Sequence, residues 1–321
     1  MQAVMHNGFG EPGEVLGLAD TPGPEIGSGD VLVRVRAAGL SKGDWLITKG
    51  WPLIARPSYG IRSPKHPVAG LEFAGIVEAT GRDATRFAPG DAVFGWGNGA
   101  LADLASVPED HLVRKPERAT FEQAAAVPVS GFTALQALRD RGETRPGQRV
   151  LIIGASGGVG HFAVQIAKAL GAEVTGVCST RNVEAVRSLG ADHVIDYTRD
   201  GIEGTGPYDV VVDIAGNRPL RTLRGVLTPA GTLVVVGGSG GRWTMGFGRT
   251  IRAMLTSPFV RQRLRPLLSS PNRDDLEHLA RMIDEGLITP LVSAAHRLGE
   301  APGAIAAVGA GGGAGKTVVT I

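Results

Sequence analysis

The chain has 321 residues, 43% hydrophobic, 20% charged and 5% aromatic, and its 33 Lys and Arg against 31 Asp and Glu leave a formal charge of +2. That length supports one large or two medium domains, and the near-neutral balance argues against a basic nucleic-acid surface or an acidic disordered tail. The single cysteine, Cys178, rules out an intramolecular disulfide and a multi-cysteine zinc site. Residues 1 to about 118 read as short strands. Residues 31–37 alternate apolar and basic side chains, as a half-buried strand does, and 75–79 and 91–94 follow between turn signals at Gly81 and Pro89-Gly90. The pattern changes near Thr120. Residues 121–127 and 133–139 read as helices, and 149–153 as a buried strand. Val159, Phe162, Ala163, Ile166, Ala167 and Leu170 then recur at helical spacing up to Gly171, which is suited to a C′ cap. Strands at 174–177, 194–195, 210–212 and 232–236 and a helix at 182–189 complete a βαβ alternation, which predicts a parallel, doubly wound sheet. Two further helices, 274–284 and 301–308, precede residues 316–321, which are expected to return as a strand to the first domain.

The chemistry-bearing motif is Gly154, Ala155, Ser156, Gly157, Gly158, Val159 and Gly160, directly after a buried strand and at the start of an apolar-faced helix. Glycine at 157 lets backbone N–H groups approach a pyrophosphate, glycine at 160 lets the helix pack on the strand, and the helix N-terminus favours the anion. Because 48 residues are glycine, about twice the usual share, the strand–turn–helix setting carries more weight than the glycines alone. A NAD site places an acid about 20 residues further on, against the ribose 2′-hydroxyl. Here the strand ends in Cys178, Ser179, Thr180 and Arg181, two hydroxyls and a guanidinium suited to a 2′-phosphate, so NADP(H) is the preferred cofactor. Asp192 and Asp196 read as too far along to serve that strand end, and the alternative for Arg181 is a solvated helix-start residue. Residues 310–317 fit a loosened phosphate-loop pattern ending in Lys316-Thr317. They leave no room for the helix such a loop requires, so nucleotide hydrolysis is rejected.

Taken in order, these pieces resemble the medium-chain dehydrogenase/reductase superfamily, in its zinc-independent, quinone-oxidoreductase-like branch. The resemblance rests on Gly70-Leu-Glu-Phe-Ala-Gly75-Ile-Val-Glu, Pro89-Gly90-Asp91-Ala-Val-Phe94, Val127-Pro-Val-Ser-Gly-Phe-Thr-Ala134, the turn 154–160, Leu189-Gly-Ala-Asp192-His-Val-Ile-Asp196-Tyr197 and Asp213-Ile-Ala-Gly-Asn217. It implies a Rossmann dinucleotide-binding domain, 121–287, inserted in a GroES-like β-rich catalytic domain made of 1–120 and 288–321.

Zinc-dependent members hold a catalytic metal with Cys, His and Cys, and the matching positions here are Ser41, Leu71 and about Ala126, none a competent ligand. Without that Lewis acid, the resemblance implies reduction of a quinone or an activated C=C bond, an acceptor that stabilises negative charge itself. It also places Thr133 near the nicotinamide, Tyr197 near the 2′-phosphate, and Gly237 and Gly238 beside the nicotinamide ribose. Ser41 and Asp44 are candidate catalytic residues, Asp44 alternatively a structural turn residue. In the long segment 51–67, Tyr59 is a candidate proton donor or a packing aromatic, and His66 a turn residue. Cys178 reads as a small apolar residue at a strand end. A metal-free alcohol/carbonyl dehydrogenase and a low-turnover NADPH-binding sensor stay open as alternatives. No basic n-region opens the chain and no uncharged run of about 18 strongly apolar residues occurs, so a cytoplasmic protein without membrane or nucleic-acid partners is expected. A homodimer is implied by resemblance alone.

Overall fold

The computed structural model describes all residues except Ser239, Gly240, Gly241, Met245, Gly246 and Gly312, and the side chains of Phe247 and Pro258. The chain divides into two compact units. The first comprises Met1–Ser130, Pro271–Gly286 and Pro290–Ile321, and the second Gly131–Ser270 with Leu287–Thr289. The expected division at 120/121 and 287/288 therefore differs in three places, one of them residues 288–289, which lie in the second unit. Residues 121–130 lie in the first unit, and so does the helix Arg273–Asp284. The helix buries Leu276, Leu279, Met282 and Ile283, and at its surface Arg86 pairs with its Glu277, Arg273 pairs with Asp110, and Asp284 accepts from the Arg118 amide.

The first unit is built on a seven-stranded sheet. Val292–Arg297, Lys316–Thr320, Asp30–Leu40, Glu72–Thr80, Ala92–Trp96 and Leu112–Arg114 lie side by side in that order, and Leu104–Pro108 also pairs with Asp30–Leu40. The alternation read from the sequence is real. Val31, Val33 and Val35 enter the core while Arg34 and Arg36 face solvent. Chain end and chain start meet in this sheet, because Thr317–Thr320 pairs antiparallel with Ala37–Leu40. A Cβ at Gly39 would stand 2.3 Å from the Ala125 carbonyl oxygen and 2.9 Å from the Glu72 side chain, so only glycine lets the strand pass there.

The second unit is a six-stranded, wholly parallel sheet in the order His193–Asp196, Glu173–Cys178, Arg149–Ile153, Tyr208–Asp213, Leu227–Val235, Arg263–Pro266. Numbered within the unit this is 3-2-1-4-5-6, the doubly wound order whose direction reverses between Arg149–Ile153 and Tyr208–Asp213. Val150, Leu151 and Ile152 are fully buried, as a strand covered on both faces demands. The helix Gly160–Ala169 presents Phe162, Ala163, Ile166 and Ala167 to the interior, and Gly171 at φ +79° closes the turn after it. The expected helix 133–139 is instead Pro128–Gln136, continued as a π-helical turn over Ala137–Arg141. No helix among the described residues is long and apolar enough to cross a membrane.

Candidate active site

In open parallel sheets, ligands bind outside the carboxyl ends of the strands where the order reverses. Three backbone turns converge at that point. Gly154, at φ +90°, follows the first strand, and a Cβ on it would meet the Ala215 amide at 3.4 Å. Gly216, at φ +67°, lies against Gly237, where a Cβ would be 2.6 Å from the backbone. A Cβ on Gly237 would in turn stand 1.8 Å from the Ile214 carbonyl oxygen. Gly237 and Gly238, both half-buried, thus border the switch point after Leu227–Val235.

The glycine turn itself separates two jobs. A Cβ at Gly160 would collide with the Gly154 carbonyl oxygen at 2.0 Å, so this glycine serves the packing of helix on strand. A Cβ at Gly157 would meet only that oxygen, at 3.6 Å, so the fold alone does not demand glycine at 157. Behind the turn begins the helix Gly160–Ala169, whose His161 and Ala163 amides donate to the Gly157 and Val159 carbonyls at 3.0 Å, so the turn runs straight into the helix. Ser156 is buried and accepts from Asn182 Nδ2 at 3.0 Å, leaving its own proton to donate, and the same nitrogen lies 3.4 Å from Ser179 Oγ. Asn182 therefore ties the turn to the end of Glu173–Cys178. Sequence reasoning gave it no role, since a polar residue at a helix start carries no signal of its tertiary partner. Asp213, missed likewise as a site residue, accepts from the Gly216 amide at 3.1 Å and pairs with Arg249.

The edge strand brings a correction. Asp196, read as too distant, pairs in parallel register with Cys178, and its Oδ2 accepts from Thr180 Oγ1 at 2.6 Å. Sixteen residues of chain separate the two threonine and aspartate groups, but adjacent parallel strands bring their carboxyl ends level. Thr180 is thus committed to an acid rather than free for a phosphate. Ser179 is half-buried, Arg181 and Tyr197 are exposed, and the Tyr197 amide donates to the Cys178 carbonyl at 3.0 Å. Thr133 is half-buried on Pro128–Gln136. Burial pushes the Cys178 thiol up to about 11, so it is a protonated packing residue at neutral pH.

In the first unit, a small pocket of about 40 Å³ is lined by Asp44, Tyr59, His66, Leu71 and Asn98 among others. Ser41 caps the helix Lys42–Lys49, and its amide and hydroxyl donate to Asp44 Oδ2 at 2.8 and 2.7 Å. The Ser41 proton, expected to serve substrate, is held within this cap. Asp44 Oδ1 is buried without a hydrogen-bond partner. Burial, reinforced by Glu72 and opposed by the Ser41 hydrogen bonds and Lys316, pushes its carboxyl up to about 6. Tyr59 donates its hydroxyl to the Pro52 carbonyl at 2.9 Å, and burial raises its phenol. His66 is exposed on the pocket rim, whereas burial pulls the lining His6 down to about 4 and keeps it neutral.

Of the three zinc-ligand positions, Leu71 lines the pocket, Ala126 is fully buried, and Ser41 is engaged with Asp44. Among the described residues no three His, Cys, Asp or Glu come together to hold a metal. Lys316, end of the rejected phosphate-loop pattern, opens the strand Lys316–Thr320 and is buried against Glu72. Gly312 of that pattern lies outside the described residues.

A doubly wound sheet with a glycine turn at its switch point, in a chain that also carries a β-rich unit, defines an NAD(P)H-dependent oxidoreductase. Residues 27–117 match the family model described as the alcohol dehydrogenase GroES-like domain, and 189–319 the one described as zinc-binding dehydrogenase. The chain is similar to the chloroplast envelope quinone oxidoreductase homolog of Arabidopsis thaliana, 33% identical over 334 residues, covering 99% of this chain and 98% of that protein. Among solved structures it resembles the quinone oxidoreductase of Coxiella burnetii (TM-score 0.88, 30% identity, 100% of this chain and 99% of that one). It also resembles the Escherichia coli quinone oxidoreductase complexed with NADPH (TM-score 0.83, 26% identity, 100% of both chains). The chain belongs to the medium-chain dehydrogenase/reductase superfamily, in its quinone-oxidoreductase-like branch.

Proposed function

We propose that this protein reduces quinones or activated alkenes with NADPH and without zinc. The observation that carries the reading is the set Ser41, Leu71 and Ala126: no side chain at the metal positions supplies thiolate or imidazole. An acceptor in this pocket must therefore delocalise its own negative charge. A quinone spreads it over ring and carbonyls, and an enone forms an enolate. The quinone oxidoreductase names of the Arabidopsis thaliana, Coxiella burnetii and Escherichia coli proteins support a quinone.

When bound, the nicotinamide supplies the hydride. The protein's part is proximity and orientation, worth up to about 7–11 kcal/mol in a well-aligned pair. The turn 154–160 holds the pyrophosphate, with Ser156 Oγ as a further donor, and Thr133, Gly237 and Gly238 are assigned to the nicotinamide end. Ser179, Arg181 and Tyr197 are assigned to the 2′-phosphate, and the NADPH complex of the E. coli neighbour supports that choice. Asp44, protonated below about pH 6, offers a hydrogen bond from Oδ1 to an enolate oxygen, with Ser41 fixing its other oxygen. Tyr59 closes one side of the pocket. Cytoplasmic location, on the sequence reading alone, and a homodimer, on family resemblance, belong to the proposal, tested by cell fractionation and light scattering. The reaction is tested by NADPH oxidation against a panel of quinones, enones, ketones and aldehydes. Turnover confined to unactivated carbonyls would refute it.

A further inference from the structure

The end of the edge strand holds a fixed negative charge where the cofactor reading puts the 2′-phosphate. Asp196 Oδ2 accepts from Thr180 Oγ1 at 2.6 Å, and Oδ1 accepts from the Thr198 amide at 3.0 Å and the Thr198 hydroxyl at 2.7 Å. Arg199 Nε stands 3.6 Å from Oδ2. These hydrogen bonds, that of Thr180 foremost, hold the carboxyl below its ordinary range, so it is ionised at any pH at which the protein works. The side chain is 12% exposed.

We infer that Asp196 is a specificity-determining residue that limits the preference for a 2′-phosphate over a 2′-hydroxyl and leaves NADH usable. The inference rests on the dinucleotide reading of the second unit. It acts in two ways. The carboxylate draws the Thr180 proton toward itself, so of the two hydroxyls at the strand end only Ser179 can donate to a phosphate. Its charge, on the strand directly beside Cys178, also repels a phosphate gathered by Ser179, Arg181 and Tyr197. An acid that discriminates against a 2′-phosphate ordinarily stands at the end of the second strand. Here the third strand delivers it, through the level register of Asp196 with Cys178.

The test compares 2′,5′-ADP with 5′-AMP, probes that differ in the 2′-phosphate and need no nicotinamide, by calorimetric titration of the whole protein. Asp196→Asn should tighten 2′,5′-ADP roughly three- to tenfold while 5′-AMP binding stays unchanged, and added salt should shrink the gain. Thr180→Val should not weaken 2′,5′-ADP, because its proton already belongs to Asp196; this variant decides the matter even if Asp196→Asn fails to fold. An unchanged ratio of the two probes in Asp196→Asn, or loss of 2′,5′-ADP binding in Thr180→Val, overturns the inference and leaves the cofactor reading standing. Failure of the wild-type protein to bind either probe overturns both.

Discussion

Lys316 Nζ lies 2.5 Å from Glu72 Oε1, and neither side chain is more than 2% exposed. The other carboxylate oxygen accepts from the Val129 amide at 2.7 Å, so Glu72 joins a strand of the first half of the chain, the last strand and the helix Pro128–Gln136. Breaking a buried pair by removing one partner leaves an uncompensated charge, a loss of about 3–5 kcal/mol. Lys316→Met and Glu72→Gln should each lower the melting temperature sharply. The double variant should lose less than the two losses added, which a double-mutant cycle in denaturant reads directly. Strict additivity would mean that the pair is not coupled.

The glycine turn offers a separation of fold from binding. Gly160→Ala should destabilise the second unit, since its Cβ would sit 2.0 Å from the Gly154 carbonyl oxygen. Gly157→Ala should melt like the wild type yet bind NADPH about tenfold or more weakly, about 1.4 kcal/mol. Equal NADPH affinity in a folded Gly157→Ala protein would remove the pyrophosphate from this turn.

Asp44 ties pH to stability with a definite sign. Its carboxyl is raised from 3.8 to about 6 by folding, so between those values the folded state holds the extra proton. Its contribution is therefore complete below about pH 3.8 and is lost as pH rises through about 6, on the order of 3 kcal/mol. Relative to Asp44→Asn, the wild type should weaken between pH 4 and 7 in urea titrations by about that amount. Enone turnover should fall above pH 6 and flatten in Asp44→Asn, with quinone turnover less affected. A parallel pH dependence in the two proteins would contradict the assignment.

Arg181→Ala should weaken NADPH by about tenfold, at the low end for a charge-assisted hydrogen bond because the residue is exposed, and leave NADH nearly unchanged. Equal losses for both cofactors would show that Arg181 does not read the phosphate.

Periodicity made the second unit legible in the sequence. Residues 149–153 and 160–169 bury nearly everything they should, so the apolar pattern and the helix spacing appear undiluted. The N-terminal pair Gln2–His6 and Leu16–Asp20 escaped because its short strands are half exposed. The helix Lys42–Lys49 escaped because it buries only Asp44 and Thr48, and Arg263–Pro266 because four residues with three polar or proline positions show no alternation. At the site, the glycine turn was local and therefore readable. Asp196 beside Thr180, Asn182 on Ser156 and Lys316 on Glu72 were not, because each contact is created by strand register or by a long chain return rather than by spacing. The Ser41 hydroxyl reads as available for a different reason: its cap partner Asp44 is three residues away and visible in sequence, but the direction of its proton is not.

The central claim is hydride delivery to acceptors that carry their own charge. Protein dialysed against a chelator and checked for zinc by elemental analysis should be mixed with NADPH and followed at the nicotinamide absorbance, against 1,4-quinones, enones, unactivated ketones and, in reverse with NADP⁺, primary alcohols. The account predicts NADPH consumption with quinones or enones well above that with ketones, undiminished by chelation, and little oxidation of alcohols. Robust alcohol oxidation with quinones and enones inert, or activity abolished by the chelator and restored by zinc, would contradict it.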